Sequence, residues 1–365
     1  MRLLSLVAIV ALCLTGCAGP VVRTGTLDKT AAALETERQN KLALESLLSH
    51  YKRLYQVAHP ILRANSDLCE KNQIADLKAA MYYGHQLPKD YEGVAASLGI
   101  KRANQVLITL ADNGTNWPIR AGDLISSIND TPIPLDKKAG EKLHDALLEA
   151  AKRDVMTVLV FRDGKETKLT VPVEKTCGDG VGLQINDAVN AFADGKTIVF
   201  TTGMMRFAMT DKDLQLVFGH ELAHNVMDHI GKKTQNAWLG VLMDVLVSAA
   251  TRVNTQGTFR NAAANAHSPA FEAEADYVGV YLLERAGVDT NGAADFWRRM
   301  AAEHPGSINT NHAASHPPSP ERFLMIEKTT SEIAEKRVKG EPIKPNLKEV
   351  AVATEPKRQS SGAAF

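Results

Sequence analysis

The stretch FGHELAHNVMDHI, Phe218 to Ile230, decides how the rest of the chain is interpreted. An α-helix turns about 100° per residue, so His220 and His224, four residues apart, lie one above the other on one face. Two imidazoles in that arrangement can bind one tetrahedral zinc ion. Glu221 follows the first histidine directly, where a carboxylate can act as general base without being a ligand. The pattern therefore predicts a zinc-hydrolase helix; the alternative is an ordinary amphipathic helix that contains histidines.

A third histidine, His229, lies nine residues after His220. On a continuous helix that spacing is about 180°, so the two side chains cannot share a metal. The metzincin class of zinc peptidases places its third histidine one residue later, after a break made by glycine, and neither feature occurs here. The sequence therefore predicts a structural role for His229.

Length and charge limit the remaining possibilities. The 365 residues are enough for two or three domains. The chain has 42 lysines and arginines and 42 aspartates and glutamates, without the excess of positive charge that is typical of nucleic-acid binding. We therefore expect no nucleic-acid partner.

The N-terminus has the features of an export signal. The apolar run LLSLVAIVALCL follows Arg2 and is too short to span a bilayer as a permanent helix. It ends in LTGC, Leu14 to Cys17, which resembles the bacterial lipobox. That resemblance implies a signal peptide over residues 1–16, a lipid on Cys17 and, because Ala18 follows, sorting to the outer membrane of a Gram-negative bacterium. The alternative is a plain signal peptide with an incidental cysteine.

Export changes what is expected of the cysteines. Cys69 and Cys177 are the two that remain in the mature chain without a lipid, and an oxidising compartment favours their pairing. A disulfide between them would join the two ends of the intervening module and could stabilise the fold by about 4–5 kcal/mol in the chain-entropy model. Two reduced, buried thiols are the alternative.

Two segments with different secondary-structure patterns precede the histidine motif. Residues 17–87 are rich in helix-favouring residues, and we predict a long amphipathic helix and a second helix over about Lys71 to Tyr82. Residues 88–176 contain several strand patterns, one helix and a hairpin around Asp163 and Gly164. With AGDLISSIND at its centre, this order resembles a bacterial-protease PDZ domain, although SLGI, Ser97 to Ile100, departs from the family's carboxylate-binding loop. A small structural β-domain is the alternative.

The motif itself lies within residues 177–330. VNAFADGKTIVFTTGMMRF predicts strand, turn and strand directly before the histidine helix. The apolar segment 237–250 is too short to span a bilayer and is interpreted as a core or lid helix. Residues 331–365, rich in proline and charge after about Glu341, are expected to form a disordered tail.

Downstream, SPAFEAEADYVGVYLLERAG offers a third ligand. Ser268 and Pro269 predict a helix start. Glu272 and Asp276 then share a face, whereas Glu274 lies about 200° from Glu272, so one glutamate alone can point at the metal. Glu272 has the better claim, and Asp276 could hydrogen-bond a ligating histidine from behind. An acidic, solvent-facing helix is the alternative.

The order HELAH, EAEAD, SHPPSPER resembles the HtpX/CAAX-prenyl-protease type of gluzincin metallopeptidase, with the soluble BepA-like and Oma-like members matching best. The resemblance implies the following roles: zinc ligands His220, His224 and Glu272; base Glu221; supporting carboxylate Asp276; substrate-pairing edge strand Asn190 and Ala191. It also brings His316 near the zinc, either to stabilise the oxyanion or to occupy the open position as a latch. An ordinary surface histidine is the alternative. The chain departs from HtpX in its inserted module and in lacking the membrane helices.

We therefore expect an α+β protein with a mainly helical gluzincin-type metallopeptidase domain, a small β-sheet and an inserted PDZ-like β-rich domain. The expected function is a zinc metalloendopeptidase on the periplasmic face of the outer membrane that cleaves misfolded or mis-assembled envelope proteins. Its expected partners are those protein substrates and, through the lipid anchor, the membrane. The alternative is an assembly chaperone or adaptor with a latent protease site.

Overall fold

The computed structural model describes residue 25 and residues 27–83, 87–98, 106–111, 117–235, 268–303 and 319–347. Cys17, His316 and the apolar segment 237–250 lie outside these ranges. Within them, no helix is both long enough and apolar enough to cross a membrane.

The described chain is α+β, as predicted. Its helices are α1 (Lys29–Ala64), α2 (Glu92–Ala95), α3 (Ala139–Ala150), α4 (Thr202–Phe207), α5 (Asp211–Val226), α6 (Ser268–Arg285), α7 (Ala293–Glu303) and α8 (Pro320–Lys339), with 3-10 turns at Ser66–Leu68, Glu70–Asn72, Lys89–Tyr91 and Ala96–Leu98. Its strands are β1 (Gln73–Ala75), β2 (Ala79–Tyr83), β3 (Val106–Ala111), β4 (Leu124–Ile128), β5 (Thr131–Pro132), β6 (Val155–Arg162), β7 (Lys165–Pro172), β8 (Lys175–Cys177), β9 (Gly180–Gln184), β10 (Ala191–Ala193) and β11 (Thr197–Thr201).

The long N-terminal helix is present as α1, a single helix of 36 residues. It begins where the Asp28 side chain accepts a hydrogen bond from the backbone N–H of Thr30, which satisfies one of the free donors at a helix start. Leu54, Val57 and Ile61 are buried at helical spacing, and this face packs against α5 and α6 in the core that contains the histidine motif.

The predicted second helix over Lys71 to Tyr82 is wrong. The segment contains the strands β1 and β2, which pair with β8 and β3 respectively. Lys78 between them has a φ of 49°, a left-handed conformation that interrupts both regular structures. The helical spacing was misleading because strand partners about 30 and 100 residues away, invisible to a local pattern, decide the outcome.

Strands β2 to β7 form a separate β-rich unit. They make an antiparallel sheet in the order β2-β3-β4-β6-β7, with β5 beside β4, and α3 buries one face in the unit's own core. Asp163 and Gly164, with φ values of 50° and 80°, make the predicted turn between β6 and β7. The unit begins at β2 and so includes residues before 88, the expected boundary.

The two ends of the β-rich unit lie side by side. Cys69 and Cys177 form a disulfide with their Cα atoms 5.4 Å apart, and β1 pairs with β8 directly beside it. Both cysteines are buried. The unit is therefore attached to the rest of the chain through two segments that a disulfide links to each other.

A small sheet in the order β10-β11-β9 follows. β10 and β11 are antiparallel and joined by the predicted turn, whereas β9 runs parallel to β11. β10 packs against α5, which places one edge of this sheet beside the histidine helix.

The expected disordered tail from residue 331 is wrong for the residues up to 347. α8 continues to Lys339 and ends at Gly340, which takes the left-handed conformation of a helix C-cap. The following segment returns to the fold, where the backbone N–H of Asn346 donates to the Tyr277 hydroxyl and the Asn346 amide donates to Glu332. Residues 348–365 lie outside the described ranges.

Asp179 lies two residues after Cys177, and its burial beside the disulfide can be tested by measuring stability at different pH values. Its carboxylate accepts hydrogen bonds from Asn225 at 2.8 Å and from Asn72 at 3.4 Å. Burial outweighs these contacts and raises the pKa of Asp179 to about 6. A carboxyl whose pKa is higher in the folded state makes the protein more stable as the pH falls through that value.

We expect Asp179→Asn, which is neutral at every pH, to gain stability relative to wild type above pH 6. The difference in unfolding free energy should shrink by about 1–2 kcal/mol between pH 7.5 and pH 5. Denaturant unfolding at both pH values measures it, and a difference that does not depend on pH would contradict the assignment.

Candidate active site

The histidine helix has a well-defined start. Thr210 and Asp213 form a capping box in which each side chain accepts a hydrogen bond from the other residue's backbone N–H, the arrangement that fixes a helix N-terminus. The buried positions of α5 run from Asp213 to His224 and include both histidines and Glu221. The motif therefore lies on a helix that is enclosed on all sides.

Two glycines allow α6 to lie against α5. A Cβ added to Gly279 would be 3.0 Å from the carbonyl oxygen of Gly219 and 3.1 Å from the backbone nitrogen of His220. A Cβ added to Gly219 would be 2.8 Å from the Leu283 side chain. The helix backbones are thus in contact at the residue before His220, and α6 is close enough to reach the histidines.

Three candidate ligand atoms converge between these helices. The Nε2 atoms of His220 and His224 are 3.2 Å apart. Glu272 of α6 places Oε2 at 3.4 Å from the first and Oε1 at 3.6 Å from the second. All three residues are buried. Two imidazoles and one carboxylate are a donor set that zinc accepts while keeping a position open for substrate, so these residues fit a catalytic metal.

Asp276, one turn after Glu272, holds the first histidine from behind. Its Oδ1 lies 2.9 Å from His220 Nδ1, which leaves Nε2 facing the other two candidate ligands. Burial disfavours charge on His220, but Asp276 and Glu272 outweigh it and raise the pKa of His220 to about 9. The carboxylate therefore sets both the orientation and the basicity of this imidazole.

Sequence reasoning missed Arg322 as a functional residue. Its Nε and Nη2 donate to the two carboxylate oxygens of Asp276 at 2.6 and 2.8 Å, and Nη1 lies 3.7 Å from Glu272. Burial opposes the ionisation of Asp276, yet the Arg322 guanidinium holds the pKa of that carboxyl below its usual value. The sequence SPER did contain a signal for its position. Ser319 caps α8, and its side chain accepts a hydrogen bond from the backbone N–H of Arg322.

Glu221 and Trp297 complete the surroundings. Glu221 follows His220 on α5 and is buried, and its negative charge is one of those that raise the pKa of Arg322 against the effect of burial. The Trp297 ring lies 5.1 Å from the His220 ring and 5.8 Å from the Arg322 guanidinium. The site thus combines a buried carboxylate outside the ligand set with an apolar wall.

His229 is outside the group of candidate ligands, but it does not lie on the far side of α5, because α5 ends at Val226 before reaching it. His229 turns back, and its Nδ1 lies 2.8 Å from Nδ1 of His224. Glu274, which does not face the candidate ligands, lies 2.7 Å from His229 Nε2. Both residues therefore contact the site from behind.

The predicted substrate strand is at the edge of its sheet. β10 has β11 on one side and no other described strand on the opposite side. The Asn190 carbonyl accepts from Thr201, and the Asp194 N–H donates to Thr197. Backbone groups alternate in an antiparallel pair, so those of Ala191 and Ala193 point outward. Asn190, which the resemblance also assigned to substrate pairing, instead turns its backbone toward Thr201.

Comparison with known proteins agrees with the gluzincin resemblance. Residues 169–330 match Peptidase family M48, which supports the expectation of a metallopeptidase. The chain is 32% identical to the mitochondrial metalloendopeptidase OMA1 of Schizosaccharomyces pombe, over 40% of this chain and 45% of that protein.

Two bacterial proteins are also similar. The beta-barrel assembly-enhancing protease of Yersinia pestis is 25% identical over 44% of this chain and 34% of its own length. The metalloprotease YcaL of Escherichia coli is 26% identical over 48% of this chain and 74% of its own length. The chain thus spans less than half of the first two relatives.

The glycine contact gives a first prediction for the site. Gly279→Ala should push α6 away from α5, lower the unfolding free energy by about 1–3 kcal/mol and weaken zinc binding. Denaturant unfolding and zinc competition with a chelator measure the two effects. Gly93→Ala is the control, because a Cβ there meets nothing within 4 Å; unchanged zinc affinity in Gly279→Ala would show that the contact does not set the site.

The two glutamates of α6 give a second prediction. Glu272→Gln removes a charged candidate ligand and should strongly reduce the zinc retained after dialysis. Glu274→Gln keeps an oxygen acceptor for His229 and should retain nearly as much zinc as wild type. Elemental analysis measures both variants, and the reverse order would mean that the wrong face of α6 was chosen.

Proposed function

We propose that the M48-type domain is a zinc metalloendopeptidase. The observation that carries the proposal is the convergence of His220, His224 and Glu272 on one point, with Glu221 on the same helix. A zinc ion bound there would acidify a water molecule and polarise a peptide carbonyl.

The protein side chains divide the remaining work. Glu221 accepts the proton released by the attacking water and delivers it to the nitrogen of the departing peptide. Asp276 and Arg322 keep His220 in one tautomer and one orientation. Because these groups are buried, they need little rearrangement during the reaction, which is where fixed charges stabilise a transition state best.

We infer that the substrate binds as an extended strand. The outward backbone groups of Ala191 and Ala193 can pair with a peptide laid along β10, as in other β-strand additions. Such pairing depends on hydrogen bonds to the substrate backbone and on few side chains. It therefore favours unfolded proteins of many sequences over substrates with one defined sequence.

The wider biological role rests on the N-terminus and the relatives. The lipobox-like LTGC and the Cys69–Cys177 disulfide favour an exported lipoprotein, anchored through Cys17 at the outer membrane and facing the periplasm. One similar protein is named a beta-barrel assembly-enhancing protease. We therefore assign the chain to quality control of misfolded or mis-assembled envelope proteins, with the β-rich unit as a PDZ-like accessory domain. The role of His316, as oxyanion donor or latch, stays a prediction.

Cleavage of unfolded casein tests the proposal. The zinc-loaded protein should cleave casein, a chelator should stop cleavage, and added zinc should restore it. Glu221→Gln should bind zinc normally but lose at least about a hundredfold in rate, because the proton acceptor is gone.

Glu335→Gln is the matched control, since that carboxylate is exposed on α8 and its ion pair is with Lys339. Casein that is bound by the zinc-loaded wild type but never cut would reject the peptidase and support the chaperone alternative. Cleavage that persists in Glu221→Gln would reject the assignment of the base.

A further inference from the structure

The turn after the histidine helix determines where His229 lies. α5 ends at Val226, and Asp228 has a φ of 51°, a left-handed conformation that aspartate tolerates better than most residues. The Asp228 carboxylate then accepts from the N–H of Gly231 at 3.2 Å and caps a new helical segment over 229–235. This reversal brings His229 back against α5.

His229 is enclosed on every side. Its side chain has 0% exposure, and its ring stacks on Phe271 with the centroids 4.7 Å apart. Both ring nitrogens have polar neighbours: Nδ1 lies 2.8 Å from His224 Nδ1, and Nε2 lies 2.7 Å from Glu274 Oε2. The imidazole therefore joins a candidate ligand to a carboxylate on α6.

The proton positions along this chain follow from the geometry. His224 turns Nε2 toward His220 and Glu272, so the lone pair of that nitrogen would hold a metal and the ring proton would lie on Nδ1. His229 must then accept at its own Nδ1 and carry its proton on Nε2. That N–H donates to Glu274.

We propose that His229 is a positioning residue for the metal, which accepts a hydrogen bond from His224 and is itself held in the required tautomer by Glu274. The inference rests on the proposed zinc site. Two different supports then hold the two histidines. His220 contacts the buried, arginine-bound carboxylate of Asp276 directly, whereas His224 reaches a carboxylate through a neutral imidazole.

Zinc affinity in two variants of His229 tests the proposal. His229→Phe keeps a ring to pack on Phe271 but removes the acceptor that His229 offers to the buried Nδ1–H of His224; zinc affinity should fall about 10–100-fold. His229→Asn places an amide oxygen near the former Nδ1 and should recover most of that loss. Competition with a chromophoric chelator measures affinity, and thermal unfolding of the metal-free variants shows whether the fold persists.

The Glu274 end of the chain supplies a second, milder comparison. Glu274→Ala should lower zinc affinity by a few-fold, since His229 keeps its place but loses the acceptor that selects its tautomer. Lys232→Ala is the matched control, because Lys232 lies 3.8 Å from the same carboxylate without contacting His224, and it should bind zinc like wild type.

Nitrogen NMR of the zinc-loaded wild type tests the tautomers directly and needs no variant. The proposal requires His224 protonated at Nδ1 and His229 at Nε2. A proton on Nδ1 of His229, or equal zinc affinity in folded His229→Phe and wild type, would overturn it. Failure of the wild type itself to bind zinc would instead reject the proposed function, so the two failures are distinguishable.

Discussion

Two glycines, Gly219 on α5 and Gly279 on α6, let the backbones of these helices touch. The site depends on this contact because two of its candidate ligands lie on one helix and the third lies on the other. Side chains of histidine and glutamate are short compared with the usual distance between packed helix axes, about 8–10 Å. With larger residues at the crossing, Glu272 could not meet both imidazoles and Asp276 could not reach behind His220.

The charges around the site are arranged in layers. The candidate ligands Glu272 and the two histidines form the inner layer, and Asp276 with Arg322 forms a buried outer layer on the His220 side. On the His224 side the outer layer is His229 and a carboxylate, Glu274, whose side chain is 37% exposed. Burial strengthens an ion pair only when its partners are fully matched, and the bidentate contact of Arg322 provides that match where solvent does not reach.

Local geometry explains which parts of this site the sequence could predict. His220, Glu221 and His224 follow from one helical turn. The angular separation of Glu272 and Glu274 on a second helix shows that only one of them can face the histidines. The helical repeat was sufficient to predict these positions because both helices, α5 and α6, are long and regular. The long helix α1 and the hairpin around Asp163 were predictable for the same reason.

The missed features depend on contacts between distant residues. Arg322 is 46 residues from Asp276, and no local pattern reveals which carboxylate an arginine will meet. The strands β1 and β2 form because β8 and β3 offer them partners. The reversal at Asp228 did have a local signal, an aspartate followed three residues later by glycine, but the strong apolar and histidine periodicity of the preceding helix concealed it.

The helix α1 explains how the β-rich unit and the site are built as one molecule. Near its C-terminal end, Leu54 and Ile61 belong to the core that surrounds α5 and α6. Nearer its N-terminus, Leu44 packs with Tyr82 and Val94 beside the β-rich sheet. This helix is continuous over 36 residues, with Pro60 inside it, and it is long enough to contact both cores. The disulfide joins the two segments that connect the β-rich unit to the rest of the chain. The helix α1 packs against the unit at a second place. The β-rich unit therefore meets the core around α5 and α6 through two separate attachments, the disulfide-linked segments and the helix α1.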